Sequence, residues 1–182
     1  MRWFATATRP YWRRRFAEFG SESLLYRPAW VHRPELMAIG SRVWISQDAW
    51  FEVGGEPGGP PRIRLGEGVV LRHHVTLSAF ESVTIEPEVL IAAYTSIYDS
   101  DHTIGRDRNA IWYPHRVEPV RIGFGSWLGE RVQVLKGADV GRHCIIGANS
   151  VVRGTIPDYS VAVGAPARVV GDTREMVERS EP

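Results

Sequence analysis

The sequence predicts an all-β chain wound as a parallel solenoid, and three observations in one stretch predict it. The first is a six-residue period. Residues Ile122–Ile156 divide into IGFGSW, LGERVQ, VLKGAD, VGRHCI, IGANSV and VRGTI, opened in turn by Ile122, Leu128, Val134, Val140, Ile146 and Val152. The second is glycine in the next place, at Gly123, Gly129, Gly141 and Gly147. The third is the fifth place, where Ser126, Val132, Ala138, Cys144, Ser150 and Ile156 are small or β-branched. A fixed period of six suits neither an amphipathic helix nor a plain alternating strand. It suits short strands joined by tight turns, with one residue in six pointing to a common axis. Glycines would then relieve strain at the corners. Aliphatic side chains would stack on their equivalents one coil away, making the core a column.

This stretch resembles the hexapeptide-repeat acyltransferases, the left-handed parallel β-helix proteins, and within them the maltose, galactoside and xenobiotic O-acetyltransferase branch. The motifs that carry the resemblance are Ile122–Gly129, Gly137–Gly141, Ile146–Val152, Ile156–Val161 and Gly164–Arg168, and the likeness extends over Leu65–Val170. The resemblance implies a left-handed β-helix and an acetyl-CoA-dependent O-acetyltransferase acting on a sugar, a glycan precursor or a related small molecule.

The elements follow in chain order. Residues 1–36 do not follow the six-residue rule and form an N-terminal cap segment. Within it, Tyr11–Phe19 (YWRRRFAEF) reads as a short helix with Trp12, Phe16 and Phe19 on one face. Arg13, Arg14 and Arg15 then occupy a solvated face of a helix that covers the end of the solenoid, the alternative being contact with phosphate or lipid headgroups. The repeat begins near Met37 with Ile39, Ile45 and Phe51, is broken by the Gly/Pro loop Gly54–Pro61, and resumes at Leu65, Leu71 and Leu77. It slips by two residues at Ala79–Ser82, most simply a bulged corner, and continues at Ile85, Ile91 and Ile97. The β-helix domain is expected over 37–170, with an excursion loop at 98–121 and a C-terminal tail at 171–182 that ends in a short helix.

Composition sets bounds. A chain of 182 residues is long enough for one domain with its own core. A net charge of +1 implies no general polyanion partner, and no stretch reads as a nucleic-acid-binding motif. Cys144 is the lone cysteine, which excludes an intrachain disulfide and reads as a small core residue. There is no signal-peptide pattern and no apolar run long enough to span a bilayer, so a cytoplasmic protein without an integral membrane segment is expected.

Candidate site residues follow from the loop and the resemblance. The polar segment after Ile97 is thrown out from a rigid scaffold, and such loops tend to carry function. His102 stands in it after Tyr98-Asp99-Ser100-Asp101. Acyl transfer from a thioester needs a base that titrates near neutral pH, and histidine is that side chain. The resemblance makes His102 the general base. Asp99 or Asp101 is the candidate to hold the other ring nitrogen and fix the tautomer, with a backbone carbonyl as the alternative. It places Trp127 as the wall of an acetyl pocket beside the histidine. Gly129, Gly147 and Ala148 would lie along the pantetheine arm, and Arg168 near the CoA phosphates. Many relatives carry a lysine where this chain has Gly154, and Arg153 is the candidate substitute. Arg72, His73 and His74 fall near the family's acceptor-binding positions, with an exposed corner as the competing reading. His115, Arg106 and Arg108 are further acceptor candidates.

The family's members are mostly homotrimers with sites between subunits, and the aromatic load (Trp44, Trp50, Phe51, Phe80, Trp112) is compatible with such an interface. The expected donor is acetyl-CoA, the partner a small carbohydrate acceptor, and no metal is expected. Two other functions compete: a non-catalytic scaffold, and a metal enzyme like the γ-class carbonic anhydrases. The second has His73, His74, His102 and His143 available, but not at the spacing that three ligands require.

Overall fold

In the computed structural model, residues 2–56, 58–104 and 114–178 are described. They form a left-handed parallel β-helix, a prism with three flat faces. The first face holds seven strands, the second eight and the third six, and each strand pairs with the strand one coil away, except the last on the second face, which folds back on its predecessor.

The register shows why the period of six produces this shape. On the first face Phe19, Ile39, Leu65, Ile85, Ile122, Val140 and Ile156 stand one above the other. The second face stacks Leu25, Ile45, Leu71, Ile91, Leu128, Ile146 and Ala162. The third stacks Val31, Phe51, Leu77, Ile97, Val134 and Val152. Apart from Val31 at the end, these side chains are buried and form one continuous core. Fifth-place residues fill the corners between the columns, and several use polar atoms to bind adjacent coils. The Ser126 hydroxyl donates to Gly141 O and accepts from Cys144 N. Thr95 makes the same bridge between Gly129 O and Val132 N. Buried hydroxyls are thereby satisfied.

The structure changes the reading of the glycines. The second-place glycines are needed for close approach between coils. A Cβ on Gly129 would stand 2.7 Å from Ala148 N, and one on Gly123 would stand 2.6 Å from Gly141 C. The left-handed backbone sits instead in the fourth place, where Arg131, His143 and Asn149 carry positive φ beside Gly125 and Gly137. Side chains at those corners project outward.

Three boundaries move. Parallel pairing begins at Glu18–Phe19, a full coil before Met37, because Phe19, Leu25 and Val31 already keep the six-residue spacing. Ile156 is not a fifth-place residue. It pairs with the coil below as Val140↔Ile156, so the last coil is two residues short. The N-terminal helix spans Arg2–Arg13 and ends before Phe16, which packs between Trp12 and Phe19 as the chain enters the first coil. At the far end Arg168–Asp172 folds back antiparallel onto Ser160–Val163 and leads into the helix Thr173–Glu178.

The slip at Ala79–Ser82 is a corner held by one carboxylate. Buried Asp99 accepts from the backbone N–H groups of Phe80, Glu81 and Ser82 at 2.6–3.0 Å. Two substitutions test this packing. Gly129→Ala is expected to cost roughly 1–3 kcal/mol through overpacking against the next coil. Asp99→Asn, which replaces an acceptor oxygen by a donor, is expected to cost roughly 1–3 kcal/mol. Denaturant unfolding of both variants measures the losses.

Candidate functional site

The excursion leaves the prism between the third and first faces, and a short hairpin closes its base. Ser100–Asp101 pairs antiparallel with Arg116–Val117, Glu118 N donates to Asp99 O, and the Thr103 hydroxyl donates to Pro114 O at 2.9 Å. This brings His102 and His115 together. Their rings meet edge to face, with centroids 4.5 Å apart and 65° between planes. On its other side His115 lies against Phe80, again at 4.5 Å. His102 is exposed, whereas Nδ1 of His115 is buried and has no hydrogen-bond partner among the described residues. Arg106, Arg108 and Trp112 lie outside the described residues.

Asp99 is not the orienting carboxylate for this pair. Its oxygens accept from the amides at 80–82, in the turn that carries Phe80 against His115. Asp101 is exposed in the hairpin, one residue before His102.

Trp127 lies elsewhere. It stands on the second face, 47% exposed, with Leu90 and Ile145 as its strand neighbours. The structure does not bring it to His102 within one chain. It borders a groove of about 460 Å³ lined by Gly125, His143, Ile145, Tyr159, Arg174 and Met176, among others. His143 stacks on Tyr159 at 5.4 Å, and Arg142 and Arg174 lie over the same ring. Asp172 fixes the Arg174 guanidinium, and hydrogen bonds from Arg174 hold the carboxyl of Asp172 down at about 2. Cys144, under this groove, is buried, and burial pushes its thiol upward, as befits a core residue and not a nucleophile.

The expected pantetheine contacts separate. The Gly129 N–H is spent on Ile146 O and its carbonyl accepts from Thr95, so this residue serves coil packing. The Gly147 N–H is likewise in the ladder, bonded to Ala162 O, while Ala148 is exposed beside it. Arg153 and Arg168 are both exposed near the exit turn, which is tied to the third face by Val151 N→Gly164 O and Ala167 N→Val151 O. At Gly154, φ is +70° and a Cβ would meet nothing within 4 Å.

Arg72, His73 and His74 sit at a corner between the second and third faces, with Arg72 exposed. His74 stacks on Tyr94 at 4.8 Å and stands 3.7 Å from the Asp48 carboxylate, and Arg131 lies over the other part of this column at 5.2 Å from the Tyr94 ring. His74 also opens onto a groove that the sequence did not reveal. This groove, about 570 Å³, runs along the third face past Asp48, Trp50, Glu52, Thr76, Ser78 and Tyr98. Its signal was the outward place next to each buried third-face residue: Trp50 and Glu52 flank Phe51, Thr76 and Ser78 flank Leu77, and Tyr98 follows Ile97. Among the described residues no cluster of three or more His, Cys, Asp or Glu side chains is placed to hold a metal ion.

Comparison with known proteins agrees with this architecture. Residues 119–154 match the family model for the bacterial transferase hexapeptide (six repeats). "Probable acetyltransferase Rv3034c" of Mycobacterium tuberculosis is 41% identical over 114 residues, 59% of this chain and 36% of that one. "Putative lipopolysaccharide biosynthesis O-acetyl transferase WbbJ" of Escherichia coli is 35% identical over 116 residues, 59% of each chain. This chain therefore spans less than two thirds of the length of either relative. Among solved structures, AntD, an N-acyltransferase from Bacillus cereus in complex with dTDP and coenzyme A, superposes with a TM-score of 0.75 at 17% identity, covering 93% of this chain and 91% of that one. Galactoside acetyltransferase in complex with coenzyme A gives 0.68 at 24% identity, over 79% and 68% of the two chains. The repeat, its register through the coils and these likenesses make the chain similar to the hexapeptide-repeat transferases over the residues matched, with the β-helix as the shared fold.

Proposed function

We propose that this chain is an acetyl-CoA-dependent O-acetyltransferase that acetylates a hydroxyl of a sugar or glycan precursor, with His102 as general base. The observation that carries the reading is the hairpin at the loop base, which presents exposed His102 against His115, itself backed by Phe80. The imidazole of His102 takes the proton of the acceptor hydroxyl, and the oxygen attacks the thioester carbonyl. The carbon–sulfur bond breaks, and the proton passes to the departing CoA sulfur. The thioester is already activated, so one base and correct positioning suffice. His115 acts as a positioning residue, packed between Phe80 and His102.

The acceptor lies in the third-face groove. Trp50 offers an aromatic platform for a sugar ring, and Asp48, Glu52, Ser78 and Tyr98 offer partners for its hydroxyls. Tyr98 ends the groove four residues before His102. Arg153 and Arg168 take the CoA phosphates, since fixed positive charge suits phosphate. Trp127 bounds the acetyl pocket, with Gly147 and Ala148 beside the pantetheine arm. His102 and Trp127 belong to different parts of one prism, so a neighbouring subunit supplies the second. A homotrimer with three sites between chains meets that need.

His102→Ala is expected to lower kcat by roughly 10²–10⁴-fold while acetyl-CoA still binds. Arg168→Ala is expected to weaken acetyl-CoA binding about tenfold. Turnover assays and calorimetry measure these two losses; full turnover in His102→Ala contradicts the mechanism. The shared site has its own test. Co-assembled His102→Ala and Trp127→Ala chains are expected to show more activity than the two variants assayed apart, because mixed assemblies hold some intact sites. Equal activity contradicts the intersubunit site.

A further inference from the structure

The first coil carries a basic surface that the transferase reading does not use. Residues 1–17 contain Arg2, Arg9, Arg13, Arg14 and Arg15, and no acidic residue precedes Glu18. The helix Arg2–Arg13 turns its Trp12 toward Phe16, and Phe16 toward Phe19, so it covers the open end of the core column. Its continuation then faces outward. Arg13, Arg14 and Arg15 are exposed, as is Arg27 on the first coil, and none of the four is in an ion pair among the described residues.

A groove of about 400 Å³ lies between this helix and the first coil. Its lining combines apolar Leu25, Pro28 and Val31, the aromatic rings of Tyr11 and Trp30, and the cations Arg15 and Arg27. Tyr11 and Trp30 are 53% and 48% exposed. The Arg15 guanidinium rests over the Tyr11 ring at 5.3 Å. Fixed positive charge beside amphipathic rings and an apolar floor matches the chemistry of an anionic phospholipid, with phosphate at the arginines and the rings at headgroup depth. A solvated cap needs only the inward side chains. It needs neither the acid-free run nor a groove lined by arginines.

We propose that this pole of the β-helix docks on anionic phospholipid membranes as a peripheral contact. No helix among the described residues is long and apolar enough to cross a membrane, so the contact is with the surface. The prism axis then stands away from the bilayer, and the contact leaves the three faces free for the proposed assembly and its sites. The same surface would not discriminate between lipid phosphate and free phosphate by charge alone, and the test separates them.

The full chain is sedimented with vesicles of phosphatidylglycerol and phosphatidylcholine, and separately with vesicles of phosphatidylcholine alone. Binding is expected only to the anionic vesicles, weakening as salt rises. Inorganic phosphate at matched ionic strength is expected not to displace the protein. The triple variant Arg13→Gln, Arg14→Gln, Arg15→Gln is expected to lose affinity on the order of 100-fold. Its thermal transition should be unchanged, since these side chains are exposed. Absence of binding to anionic vesicles, equal binding by the folded triple variant, or displacement by inorganic phosphate would each overturn the proposal. None of these outcomes depends on the transferase reading.

Discussion

The structure depends on how closely one coil can lie on the next. Parallel strands sit about 4.8 Å apart, and at each corner the backbone of one coil passes directly over that of its neighbour. At Gly123, Gly129 and Gly141 a Cβ would fall 2.5–2.7 Å from the backbone of the next coil. Glycine is the residue that permits this approach at those three positions, while Ser46, Arg72, Ala92 and Leu135 hold the same place in other hexads and make the same ladder hydrogen bonds. The fourth place then takes the left-handed turn and points its side chain outward. Side-chain chemistry therefore appears along the edges of the prism in columns, as Asp48, His74, Tyr94 and Arg131 show.

The excursion loop interrupts this regular pattern, and its attachment is specific. Asp99 is buried where the chain leaves the third face and binds the three amides of the preceding coil's bulge. A lone buried carboxylate would be costly, but three charge-assisted hydrogen bonds offset its desolvation. The same turn carries Phe80, which supports His115, which in turn meets His102. The coil slip and the proposed base are thus joined in space through Asp99, Phe80 and His115.

Much of this was legible because the six-residue period encodes it directly. The columns, the bulged corner at Ala79–Ser82 and the final helix all leave marks in the chain. The early start was equally legible, since Phe19, Leu25 and Val31 keep the spacing, but the aromatic and arginine-rich run before them drew attention to a helix. Roles were harder to read. Asp99 next to a loop histidine looks catalytic in sequence, and its amide partners lie 17–19 residues away. Gly129 looks like a ligand contact, yet its polar groups serve the coils. The third-face groove arises from outward side chains on successive coils, and residues such as Glu52 and Ser78 become neighbours only through register. Separation of Trp127 from His102 was likewise invisible until the faces were assigned.

The central claim is that this scaffold holds acetyl-CoA for transfer, and titration calorimetry of the purified full chain with acetyl-CoA tests it most directly, because no acceptor is needed. Saturable binding at one acetyl-CoA per chain is the predicted result. A folded protein that gives no heat of binding and no competition with free CoA would contradict the account and leave the β-helix as a scaffold.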